Sequence, residues 1–284
     1  MQIEARKGGA SLPWAHLRLP PFPQVAIRLL QLANDENVQL HHLSDLISSN
    51  PAFAAEVLTI ANSLLYAPRI PVSSILQGIA VMGANELKEM CLTVGVRAFL
   101  GKSLSLPAMR DLWRHNLACA LIAEQLASAG FLDKGIAYTS GVLHDIGRFA
   151  LAVVRPKAYA ACWRPIPAPQ AAFLSASGSC WDGIIVTQGP ASLSTGSSLR
   201  ISKRLSRKHH SPRQINGAWG MSELIKVSCR MADTAGFRAF PGCEVTLYSN
   251  LLDELPPRER RLFDTDVESL VSTVAGKIQA AESI

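Results

Sequence analysis

Residues 136–154 constrain the fold more than any other stretch. Their apolar residues run nearly all round a helical wheel, and a helix without a polar face has to be enclosed by other helices. Inside this run, GVLHDIGRFAL sets His144 and Asp145 side by side. A carboxylate in such surroundings is costly to bury unless a cation or strong donors compensate it. Arg148, three residues on, is one compensator. A divalent metal is the other, because imidazole with carboxylate suits Mn, Fe, Ni or Zn. Adjacent residues point about 100° apart on a helix, so a shared ion requires the pair to lie at a bend or a helix end.

The rest of the ordered sequence also reads as helix. Pro20, Pro21 and Pro23 deliver the chain into QVAIRLLQLAND, with Val25, Leu29 and Leu32 on one face. Residues 40–48 form a second helix. Pro51 suits the first turn of PAFAAEVLTIANSLL, whose stripe is Phe53, Val57, Ile60 and Leu64. Ser73 or Ser74 caps SILQGIAVMG, and Gly83 closes it before ANELKEMCLTVGVRAFL. Pro107 opens a longer helix to about 129, with Leu112, His115, Cys119, Ile122 and Leu126 on one face. Helices return near 220 and over 267–281. Period-2 alternation is absent from the first hundred residues, and the fold class expected of the chain is all-α. The divisions expected are an N-terminal tail (1–18), a bundle of short helices (19–104) and a second helical unit (105–284).

Residues 161–208 break the pattern. They are rich in Ser, Gly and Pro, show no helical period and contain a single acid, Asp182. An irregular stretch this long is unusual inside a compact unit. Much of the net charge of +6 comes from Arg200, Lys203, Arg204, Arg207, Lys208 and Arg213. That run admits nucleic-acid binding as one function. Hydrophobic residues are 48% of the chain, enough for a sizeable core. The six cysteines contain no CxxC pair, and Cys91, Cys119 and Cys229 read as small core residues in a reducing compartment. Neither a signal peptide nor a membrane span is visible, so a cytoplasmic protein without a membrane partner is expected.

Among the histidines, His115 on an apolar face reads either as a buried histidine bonded to backbone or as a ligand. His209 and His210, before Ser211 and Pro212, read as a basic turn or as ligands. Asp233 shares a helical face with Arg230 and Lys226, so a solvated salt bridge is its default. His41 reads as surface.

Taken together, LPPFPQVAIRLLQLAND, SSNPAFAAEVLTIANS, SILQGIAVMGANELKEMCL, LWRHNLACALIAEQLA, GVLHDIGRFAL, and HHSPRQ followed by MADTAG resemble the HDOD family. This is a branch of the HD superfamily of metal-dependent phosphohydrolases. The resemblance runs almost continuously over 19–160 and again over 209–240. It implies a ligand set of His115, His144, Asp145, His209 or His210, and Asp233 around a divalent metal (Fe, Mn, Ni, Zn or Mg). HDOD proteins act mainly as signalling modules, so the resemblance implies regulation through a signalling protein partner. The alternative is a metal-dependent phosphohydrolase or phosphodiesterase acting on a nucleotide ligand, with Asp145 and Arg148 at its centre.

Two departures weigh against hydrolysis. The family commonly carries a further His near 185, whereas this chain has none from 146 to 208. Arg148 stands where phosphodiesterase relatives often carry Lys, and the two donors are not equivalent. The pattern is lost and regained abruptly at preserved length. This is what a compensated frame shift over 162–207 would produce, as would divergence or an insertion. Translating the coding DNA in the other two frames distinguishes these accounts. On the frame-shift account the basic run is incidental, which disfavours nucleic acid as a partner.

Overall fold

The computed structural model describes residues 23–32, 39–63, 68–154, 156, 159, 219–239, 245–263 and 266–282. They are helical and contain no strand, as the sequence predicts. Five helices form the first group: α1 (Gln24–Leu32), α2 (Leu40–Ser48), α3 (Pro51–Ala61), α4 (Ile75–Met82) and α5 (Ala84–Leu100). Their boundaries follow local chemistry. Asn50 caps α3 by accepting from Phe53 N, with Pro51 at the first helical position. Ser74 caps α4, and Gly83 ends it at φ 93°, a left-handed conformation that favours glycine.

Helix α3 stops earlier than its apolar stripe predicts. Asn62 turns its side-chain amide across to Val72, accepting from its N–H at 2.7 Å and donating to its carbonyl at 2.8 Å. This strand-like clasp holds the chain entering α4 and takes priority over another helical turn. Leu64 lies outside the described residues.

A 3₁₀ turn, Gly101–Ser105, leads into the second group: α6 (Pro107–Ala129), α7 (Lys134–Leu143), α8 (Ile146–Val154), α9 (Met221–Thr234), α10 (Tyr248–Glu254), α11 (Pro257–Arg260) and α12 (Val267–Glu282). Helix α6 is the axis, packed against α7, α9 and α12. Its crossing with α7 is close because Gly141 lies over the Ala120 backbone, where a Cβ would come within 2.4 Å of Ala120 Cα. Asn116 locks the same crossing by donating to Val142 O.

The one helix expected over 136–154 is two. Leu143 ends α7, and α8 restarts at Ile146. Asp145 O accepts from both Arg148 N and Phe149 N and so opens the new helix. The His144 ring returns to Gly141 O at 2.7 Å, engaging a carbonyl at the end of the old one. The segment 161–208, where irregular structure is expected, and the basic run to Arg213 lie outside the described residues.

Candidate metal centre

Four side chains from three parts of the sequence meet beside the α6–α7 crossing. His115 comes from α6, His144 and Asp145 from the break between α7 and α8, and Cys229 from α9. A nitrogen of each histidine and the Cys229 sulfur lie within 4.8 Å of one another, and all three residues are buried. The imidazole rings stand 5.5 Å apart, centroid to centroid.

Hydrogen bonds orient both rings the same way. His115 Nδ1 is 2.8 Å from Phe237 O and 3.2 Å from Asp233 Oδ1, so it is a donor, and Nε2 is the nitrogen left to face the other side chains. His144 Nδ1 donates to Gly141 O, which leaves its Nε2 as the acceptor for the Cys229 thiol at 3.3 Å. Asp145 Oδ2 lies 3.7 Å from that same Nε2. Such backbone and carboxylate partners on the far nitrogen are the usual means of aiming histidine at a metal.

His115 Nε2 is buried and makes no hydrogen bond among the described residues. An orphaned ring nitrogen costs about 1–3 kcal/mol, so it calls for a ligand or a proton with somewhere to go. Burial opposes a charge on His115, yet Asp233 and Cys229 overcome it and raise its proton affinity well above that of an ordinary histidine. A site that attracts a proton in this way attracts other cations. Burial pushes the Cys229 thiol far up, and contact with Cys119 (Sγ to Sγ 3.4 Å) adds to this. Without a cation it is therefore a neutral S–H. Two imidazoles and a thiol, with a carboxylate alongside, fit a borderline or soft divalent ion better than a hard one.

Of the residues singled out from sequence, His115, His144, Asp145 and Asp233 come together. Asp233, however, reaches the far nitrogen of His115 and also accepts from Ala239 N. It orients His115 and does not face the convergence point. Its expected salt bridge to Arg230 or Lys226 does not form: Arg230 pairs with Glu254, and Lys226 with Glu223. Arg148 does pair with Asp145, both buried. His209 and His210 lie outside the described residues, while His41 is exposed as expected and so is His42 beside it.

Sequence reasoning missed Cys229 as a member of the group and treated it as core packing only. Its signal was available, since it precedes Asp233 by four residues on α9 and so shares its face.

An all-helical fold with a buried His-Asp doublet answered by a second histidine from a neighbouring helix defines the HD type of domain. The HDOD domain family model matches residues 19–182, and the chain belongs to that family. The match ends inside the segment that reads as irregular. Solved structures agree on the fold. An HDOD domain protein of unknown function from Geobacter sulfurreducens is 21% identical with a TM-score of 0.61, the match covering 94% of this chain and 92% of that one. A protein provisionally described as a metal-dependent phosphohydrolase, from Shewanella amazonensis SB2B, is 15% identical with a TM-score of 0.59, covering 93% of each chain. A protein provisionally assigned to signal transduction, from Marinobacter aquaeolei VT8, is 22% identical with a TM-score of 0.64, covering 94% of this chain and 60% of the other. No curated protein matches.

Proposed function

We propose that this protein is a regulatory HDOD module that works through a protein partner, and that its HD-type pocket holds a metal for structure and not for turnover. The observation that carries this reading is the Asp145–Arg148 pair. In a hydrolytic centre the doublet's carboxylate has to face the metal and a reacting water. Here an internal guanidinium neutralises it, buried beside it. The thiol at Cys229 supports the same reading, because thiolate donors are typical of closed structural sites. His115, His144 and Cys229 would hold the ion, with Asp233 and the Phe237 carbonyl fixing His115. A partner surface fits the first helical group. Leu76 and Val81 on α4, and Ile70 on its approach, are exposed, as is Leu40 at the start of α2, which packs on α4.

The rival reading is a metal-dependent phosphohydrolase. The orphaned Nε2 of His115 favours it, since such a nitrogen also suits a catalytic ion. A bound metal would supply Lewis acidity toward a phosphoryl oxygen. Elemental analysis of freshly purified protein, followed by assay with p-nitrophenyl phosphate and bis-p-nitrophenyl phosphate, separates the two. The regulatory reading expects bound metal, less of it in Asp145→Ala than in His41→Ala, and no metal-dependent hydrolysis. Turnover that disappears in Asp145→Asn would overturn it.

A further inference from the structure

We infer that a second cation site, for a hard divalent ion of the calcium type, lies between the two helical groups, held by Glu86 and Glu89 of α5 and Glu124 of α6. It is separate from the histidine group and uses different chemistry. One carboxylate oxygen from each of the three lies within 4.8 Å of the others. Opposite oxygen ligands of a calcium ion stand about 4.6–5.2 Å apart, so this span accommodates one. The three line a cavity shared with Ile60 of α3, Tyr138 of α7 and Lys277 of α12.

Glu89 points to a ligand independently of the clustering. It is only 8% exposed and lines the cavity; its backbone carbonyl accepts from Thr93 Oγ1, while its carboxylate has neither a hydrogen bond nor an ion pair among the described residues. Nearby polar groups are already engaged. Tyr138 Oη and Thr93 Oγ1 bond each other at 2.6 Å, and Asp133 accepts from Ile136 N to cap α7. Burial, with Glu124 and Glu86 beside it, pushes the Glu89 acid up to about 9, while Lys277 only partly opposes this. Glu86, Glu89, Glu124 and Asp133 stand against Lys277 and Lys134, which leaves two negative charges when all are ionised. A divalent ion cancels that excess, which the two lysines do not.

Oxygen donors without nitrogen or sulfur select a hard ion, so calcium distinguishes this site from the histidine–thiol group. The test uses the whole chain, freed of metal and titrated with calcium chloride in a calorimeter. One equivalent should bind, and the thermal midpoint should rise with calcium concentration. Glu89→Gln and Glu124→Gln should each weaken binding at least tenfold. Neither should compromise folding, since glutamine keeps the shape of the side chain and is neutral at every pH. Lys277→Gln should tighten binding by removing the resident positive charge, an effect that a merely structural lysine would not give. Absence of calcium binding, or binding unaltered in both glutamine variants, overturns the proposal. Binding that weakens in Lys277→Gln also overturns it, because the lysine would then be shaping the site and not competing within it.

Discussion

Cys229 and Glu89 show what single side chains contribute, and neither was singled out from the sequence as a ligand. Apolar neighbours on α9 made Cys229 look like filler, although its sulfur lies against the His144 ring. Its role is visible with cobalt as a reporter: a thiolate bound to Co(II) gives an intense near-ultraviolet charge-transfer band. Protein loaded with cobalt should show that band, and Cys229→Ser should lack it while keeping the weaker visible bands of a histidine-bound ion. A band surviving in the variant would remove Cys229 from the ligand set. Glu89 carries a pH effect of definite sign. Its acid rises from 4.5 to about 9 on folding, so between those values the folded chain holds a proton that the unfolded chain has lost. Its contribution to stability is complete below about 4.5 and disappears as pH climbs toward 9. In calcium-free denaturant titrations, Glu89→Gln should therefore flatten the decline of wild-type stability over that window. Parallel curves for the two proteins would contradict the assignment. Glu86, Glu124, Asp133 and Lys277 all act on this carboxyl, so the decline should be gradual and not a single step.

Helices were legible where apolar period and caps agreed, as in α5 and α6, whose ends match the expected ones. They were not legible where a side chain competes with the backbone. Asn62 ends α3 by bonding Val72, ten residues away, and no local pattern encodes that partner. The break at His144–Asp145 was hidden for another reason. Residues on both sides are apolar, so the wheel continues through it while the hydrogen-bond ladder does not. The sequence requirement for a bend, if one ion is to be shared, is nonetheless what the structure displays. Gly141, one turn before the break, sets the distance between α7 and α6 and thereby between His144 and His115. An added methyl at Gly141 would meet the Ala120 backbone at 2.4–2.7 Å, and that backbone cannot rotate away. Gly141→Ala should cost about 3 kcal/mol by urea denaturation and weaken metal retention as well. Gly276→Ala on α12 is the control. A Cβ there meets nothing within 4 Å, so relief of glycine's backbone entropy should stabilise by about 0.5–1 kcal/mol. Equal effects at the two glycines would refute the close-approach argument.

At the scale of the molecule, α5 decides how the two helical groups depend on each other. Leu87, Met90, Cys91 and Val94 enter the core shared with α1–α4, whereas Leu92, Val96, Phe99 and Leu100 enter the core built on α6, α7, α9 and α12. One helix with two buried faces belongs to both cores, and the polar residues Glu86, Lys88 and Arg97 between those faces did not mark a seam in the sequence. The division expected at 104/105 follows a helix that supplies side chains to both cores. Severing the chain there would expose the second face of α5, including Phe99 and Leu100. Burial of a large apolar side chain is worth about 1.5–3 kcal/mol, so four such residues amount to a substantial part of a domain's net stability. A fragment of residues 19–104 should consequently self-associate or bind a hydrophobic dye, and its near-ultraviolet circular dichroism should be weak beside that of the whole chain. Mixing it with residues 105–284 should restore the signal, because the missing face is supplied by α6 and α7. A monomeric, dye-silent fragment that melts cooperatively on its own would mean that α5 completes only one core, and the coupling between the groups would then have to come from elsewhere.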